Sequence, residues 1–195
     1  AAGAKTVFFS SDYVFDGSRG GWTEADEPRP LNEYGRQKLA VERELSGWGE
    51  DALVLRVSGL FGWEFKPRNF VVRARETLAE GRPLRVPSDQ ISNPTYAPDL
   101  AAAVLDLAGK GASGIYNVVG PDWLNRYDFA LKACSAFGFD PSFLEPRLTS
   151  ELGQAAARPL TAGLKTEKLA RELGRALPPE EESLRKIAAI LKQYE

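Results

Sequence analysis

Tyr34 and Lys38 stand four residues apart in the stretch PLNEYGRQKLAVE, residues 30–42. On a helix that spacing puts both side chains on one face, about 6 Å apart. An ammonium near a phenol favours the phenolate by charge attraction. A free tyrosine ionises at about 10. Lowering that value would make the hydroxyl a usable proton donor or acceptor near neutral pH. The spacing alone also describes an ordinary surface pair.

A second polar cluster precedes this one. Residues 10–17 read SSDYVFDG and follow the apolar run Val7-Phe8-Phe9. In a parallel α/β sheet, ligands bind beyond the carboxyl ends of the strands. Ser10, Ser11, Asp12 and Tyr13 fall at such an end, and the next helix carries Tyr34 and Lys38. A right-handed crossover returns that helix along the sheet. A serine hydroxyl, a phenol and an ammonium could then converge on one cleft. The plainer alternative is that the serines end a strand and Asp12 caps a turn.

Composition narrows the chemistry. The 195 residues are 43% hydrophobic and 27% charged, with a net charge of -2. That balance fits a globular domain with no general attraction to nucleic acid or an anionic membrane. The apolar run at residues 100–105 is far too short to cross a bilayer. A chain without histidine cannot build a Ser-His-Asp or Cys-His hydrolase. One cysteine, Cys134, excludes an internal disulfide and any ordinary zinc site, so no metal is expected. A lone cysteine also fits a reducing compartment, and the expected location is the cytoplasm.

These residues need a scaffold, and the pattern supplies one. Apolar runs at 6–9, 53–57 and 115–119 read as strands buried on both faces, with a short strand at 84–86. Helical patterns cover 31–45, 69–79, 100–108, 126–137, 166–173 and 180–193. Asp99 is placed to cap the third of these. Glu180, Glu181 and Glu182 open the last, where acidic groups suit the helix dipole. Residues after Gly120 show no clear strand and read as a helical lobe. The alternation predicts an α/β fold with a parallel sheet.

Taken in order, these motifs resemble one family. FFSSDYVFDG, then PLN-x-YG-x-x-KLA-x-E, LRVSGLFG, NF, SDQISNPTYAPDLA, GIYNVVG and RPLTAGLKTEKLARELG look like the extended short-chain dehydrogenase/reductases. Within them the likeness is to the dTDP-4-dehydrorhamnose reductase branch, and it spans residues 6–174. It implies the C-terminal part of a Rossmann-type parallel sheet with a smaller, mostly helical substrate-binding lobe. Residues 1–62 and 97–120 would form the Rossmann part, and 63–96 and 121–195 the lobe.

The resemblance implies Ser11, Tyr34 and Lys38 as the catalytic triad. It implies reduction by NADPH or NADH of a 4-keto group on a nucleotide-linked deoxysugar. Ser10, Tyr34, Lys38 and Ser58 would meet the cofactor. Ser11, Asp12, Tyr13, Asn69, Gln90 and Thr95 would meet the substrate. Each of the last three has a plainer role as a cap or turn residue. Arg158 could pair with a phosphate or fix its own loop, and a homodimer is compatible with the reading.

Two departures bear on it. Where the rhamnose-forming enzymes carry a sugar-stacking tryptophan, this chain has Gly59. The glycine-rich G-x-x-G-x-x-G turn that holds the cofactor pyrophosphate has no counterpart, since residues 17–21 read as a lid. The expectation is that the family's first half lies outside this sequence, cut away or supplied by another chain. A second reading is a non-catalytic regulatory subunit of the same branch, like the β subunit of methionine adenosyltransferase.

Overall fold

The computed structural model describes residues 4–66 and 68–192. Strand β1 (Thr6–Ser11) leads into a single 3-10 turn at Asp12–Val14 and then a long loop. Helix α1 (Glu33–Ser46) starts at Asn32, whose side chain accepts from the Gly35 N–H. Strand β2 (Ala52–Val57) follows, and then the short β3 (Leu60–Phe61). Helix α2 (Phe70–Ala79) is capped by Asn69, and β4 (Leu84–Pro87), β5 (Ile91–Ser92) and β6 (Thr95–Tyr96) come next. Helix α3 (Ala97–Gly109), β7 (Gly114–Asn117) and β8 (Leu124–Asn125) precede helix α4 (Arg126–Phe137). The chain continues through β9 (Leu144–Arg147), α5 (Glu167–Leu173) and α6 (Glu180–Leu191).

The main sheet is parallel with the order β1-β2-β7. Both faces of β2 are buried because its side chains alternate between two apolar layers. Leu53 and Leu55 pack with Leu100, Ala103 and Leu107 of α3 and with Leu169 of α5. Ala52 and Val54 pack with Leu45 of α1 and with Phe8. Strand β1 is an outer strand of this sheet, and Phe9 on it is exposed. A second core joins Phe61, Val71, Phe129, Leu184 and Ile187, so α2, α4 and α6 pack together.

Three sequence expectations are corrected. Asp99 does not cap α3: the helix begins at Ala97 after Tyr96, with a proline in its first turn. Pro98 needs no N–H there, and its fixed φ suits a helix start. Asp99 instead accepts from Ser183 Oγ at 3.1 Å and faces Lys186 at 3.5 Å. The region after Gly120 does hold strands. β9 pairs parallel with β4, and β8 pairs antiparallel with β5. These strands are four and two residues long, too short to show a period. The glycine-rich residues 17–21 are not a free lid, because Gly21 and Trp22 both donate their N–H to the Gly163 carbonyl. Of the last expected helix, residue 193 lies outside the described residues. Among the described residues, no helix is long and apolar enough to cross a membrane.

Candidate active site

The site forms where β1 ends. Alternation along a strand sends Ser10 and Ser11 to opposite faces. Ser11 Oγ donates to Asp12 Oδ1 at 2.9 Å, and Ser58 Oγ, just past β2, donates to Asp12 Oδ2 at 2.6 Å. All three side chains are buried. Burial pushes the Asp12 carboxyl up to about 6, against the bonds from Ser58 and Ser11 and the positive charge of Arg126.

Tyr34 reaches this cluster from the first turn of α1. The helix can approach because Gly35 lies against the chain at Tyr13: a Cβ on Gly35 would sit 2.1 Å from the Tyr13 carbonyl oxygen. The phenol lines the same cleft as Ser11, and its ring meets that of Tyr13 edge-on at 5.8 Å. Ser11, Asp12, Tyr13, Tyr34, Ser58 and Gln90 all line one cleft of about 240 Å³. Gly59 and Arg126 line it as well.

The expected acidic phenol is not what this arrangement produces. Burial raises the Tyr34 pKa, with smaller upward contributions from Asp12 and Tyr13, and the nearby Ser11 hydroxyl only opposes them. The Lys38 ammonium donates to the Phe9 carbonyl at 2.8 Å and lies 5.5 Å from the Tyr34 ring centroid. The same ammonium lies 4.9 Å from the Phe8 ring centroid.

Several expected residues do not reach the cleft. Ser10 is buried and donates to Glu42 Oε1 at 2.5 Å, so it has no open face toward a cofactor. Thr95 is fully buried: its Oγ1 donates to the Asn93 carbonyl and accepts from the Gly120 N–H. Asn69 caps α2 and donates to the Gly62 carbonyl. Gln90 remains at the cleft, held by Thr149 and Gln154 at 2.9 and 3.1 Å.

A second cleft of about 530 Å³ adjoins the first and shares Gln90 and Arg126 with it. Arg68, Arg73, Arg85, Arg126 and Arg158 line it, and among the described residues no carboxylate does. Arg158 donates to the Tyr13 hydroxyl at 2.7 Å, and burial lowers the Arg126 pKa. Arg126 and Arg73 escaped the sequence reading because no local motif marks them. Only the packing of α2 against α4 brings them together.

A parallel sheet helix-covered on both faces, with a hydroxyl, a carboxylate and a phenol beyond its carboxyl ends, defines a Rossmann-type α/β protein. The chain belongs to the RmlD substrate binding domain family, which it matches over residues 1–193. This bears out the resemblance read from the motifs. A probable low-salt glycan biosynthesis reductase, Agl14 of Haloferax volcanii, is 33% identical over 192 residues, covering 96% of this chain and 64% of that protein. Methionine adenosyltransferase 2 subunit beta of Danio rerio is 32% identical over 176 residues, covering 87% and 54%. Among solved structures, dTDP-4-dehydrorhamnose reductase of Bacillus anthracis in complex with NADP superposes with a TM-score of 0.89 at 32% identity, covering 96% of this chain and 66% of that one. The chain thus spans between about half and two thirds of the length of these relatives.

Proposed function

We propose that the chain is the proton-donating and substrate-binding portion of an NAD(P)H-dependent reductase acting on the 4-keto group of a nucleotide-linked deoxysugar. The observation that carries this reading is the meeting of the Tyr34 phenol and the Ser11 hydroxyl in one cleft. A phenol kept protonated at neutral pH is ready to give its proton to a carbonyl oxygen as that oxygen gains charge. Ser11 is placed to steady the same oxygen.

The residues present fit the nicotinamide end of a dinucleotide. An ammonium has three donors, and Lys38 spends one on the Phe9 carbonyl. Two remain for ribose hydroxyls beside the half-exposed phenol of Tyr34. The bound cofactor supplies the hydride. Tyr34 supplies the proton, and Lys38 orients the sugar of the cofactor against it. Ser58 is committed to Asp12, and Ser10 to Glu42.

The arginine-lined cleft suits the other end of the substrate. A diphosphate carries the charge that five arginines call for, of which, among the described residues, Arg85 alone pairs with a carboxylate, Glu145 at 3.5 Å. Nucleoside diphosphate would lie there, with its sugar reaching past Gln90 and Arg126 into the cleft at Tyr34. In this reading residues 1–62 and 97–120 form the Rossmann part, with α5 packed onto it through Leu169, and the rest of 63–96 and 121–195 binds substrate. The exposed Phe9 on the outer strand β1 supports a further strand of the same sheet seated there. We assign that strand to the family's cofactor-binding half, and the protein to the cytoplasm.

The likeness to the methionine adenosyltransferase β subunits supports the second reading, a regulatory subunit. One experiment separates the two: loss of nicotinamide absorbance when full-length protein, NADPH or NADH, and a panel of 4-keto nucleotide sugars are mixed. The reductase reading expects oxidation that needs both the sugar and Tyr34. No oxidation with any sugar, together with tight binding to a methionine adenosyltransferase catalytic subunit, would replace it with the regulatory reading.

A further inference from the structure

We propose that Asp12 is a positioning residue that sets the direction of the Ser11 hydroxyl. Protonation of Asp12 frees that hydroxyl, now spent on the carboxylate, to become a donor aimed at the substrate oxygen. The proposal rests on the reductase reading of the cleft.

The argument is a count of hydrogen-bonding capacity. A serine hydroxyl has one proton and two lone pairs. The Ser11 proton is spent on Asp12 Oδ1 at 2.9 Å. One lone pair accepts from the Tyr13 N–H at 3.2 Å. Nothing remains to donate to a carbonyl in the cleft. Ser58 is equally committed, to Oδ2 at 2.6 Å. An ionised carboxylate only accepts hydrogen bonds, whereas a protonated one also donates. A proton taken from solvent onto Asp12 therefore releases the Ser11 hydroxyl, which can rotate into the cleft with no movement of heavy atoms. Ser11 transfers no proton. It only changes the bond that it donates.

The surroundings put this change within reach of ordinary pH. Asp12 is 4% exposed. The groups that face it are Ser11 beside it, Ser58 past β2, Tyr34 from α1, Tyr13 next in the chain, and Arg126 from α4. Arg158 stands behind Tyr13, and Arg56 of β2 is held by Glu42. Arg126 and the two hydroxyls favour the carboxylate, burial opposes it, and burial prevails, with a midpoint of about 6.

A simple staple between the ends of β1 and β2 would use the same bonds, so the test must read direction. In full-length protein without substrate, NMR of isotope-labelled Asp12 carboxyl and Tyr34 phenol carbons is followed against pH. The phenol signal is expected to step at the Asp12 midpoint. In Ser11→Ala that step is expected to shrink at least by half while Asp12 still titrates. A phenol that does not step there, or steps equally in Ser11→Ala, overturns the proposal.

The kinetic arm uses NADPH and a dTDP-4-keto-6-deoxyhexose. Wild-type kcat is expected to fall about tenfold or more as pH rises above the Asp12 midpoint, since one oxyanion donor is lost. Asp12→Asn, whose amide can donate to Ser11 and accept from Ser58, is expected to stay active with a flat profile. A profile in Asp12→Asn that still falls like the wild type overturns the proposal. Wild type without turnover at every pH rejects the reductase reading alone, and the NMR arm then decides the coupling.

Discussion

Glu42 of α1 and Arg56 of β2 form a buried ion pair, 2.7 Å between Oε2 and Nη2, with each side chain 2% exposed. Arg56 Nε also reaches both carboxylate oxygens, and Ser10 of β1 donates to the same carboxylate. One carboxylate thereby ties the helix bearing Tyr34 and Lys38 to the strand bearing Ser11 and to its neighbour. Arg56 Nη1 finds no partner among the described residues, so the cluster leaves one buried donor unpaired.

Removing one partner of a buried pair leaves the other charge stranded, at a cost of about 3–5 kcal/mol. Glu42→Leu is expected to lose about that much stability in denaturant melts. The double variant Glu42→Leu/Arg56→Met is expected to recover most of it. A neutral single variant would show that the pair does not hold the helix.

Gly59 falls where the family resemblance leads one to expect a sugar-stacking tryptophan. Its φ is +54°, and a Cβ there would lie 2.8 Å from the Asn93 carbonyl oxygen. Any side chain must push that backbone aside. Gly59→Trp is therefore expected to destabilise the protein by about 1–3 kcal/mol rather than add a stacking surface. A Tm equal to or above wild type, with tighter sugar binding, would contradict this.

Asp12 makes stability depend on pH in a definite direction. Its folded pKa, about 6, lies above the ordinary carboxyl value of 3.8, so the folded state binds the proton more tightly than the unfolded chain. The resulting stability is fully present below the unfolded value and is lost as pH rises through about 6. Asp12→Asn removes this loss and is expected to gain up to about 3 kcal/mol relative to wild type at neutral pH, with no gain near pH 4. Thermal melts across that range check it. An equal effect at both ends would contradict the buried charge.

The arginine-lined cleft predicts a salt-sensitive diphosphate site. Arg73→Ala and Arg158→Ala are each expected to weaken binding of a nucleoside diphosphate about tenfold or more, because a bond to a charged group contributes about 1.5–3 kcal/mol. Uridine or thymidine diphosphate in calorimetry reads the loss. Unchanged affinity in both variants would move the diphosphate elsewhere.

Much of the site was legible because its signals are local. The Tyr34–Lys38 spacing and the polar end of β1 each lie within one element, and the family likeness joined them. The alternation of Ser10 and Ser11 is equally local, and it explains why only one of them reaches the cleft. Arg126 was not legible as a site residue: it opens a helix like any first-turn residue, and only the packing of α2 and α4 turns it toward Asp12 and Arg73. Thr95 and Asn69 were named for the substrate, but unpaired backbone groups claimed them first. Thr95 Oγ1 satisfies the Gly120 N–H, and Asn69 Oδ1 satisfies Val71 and Val72. The small sheets β4-β9 and β5-β8 were missed because their strands find partners far along the chain.

The most direct test is Tyr34→Phe in the full-length protein, measured by NADPH oxidation with a dTDP-4-keto-6-deoxyhexose and by calorimetric binding of the same nucleotide. The account predicts a fall in kcat of about 10²–10⁴-fold, the range for loss of a general acid, with nucleotide affinity unchanged. A Tyr34→Phe protein that oxidises NADPH at the wild-type rate would contradict it.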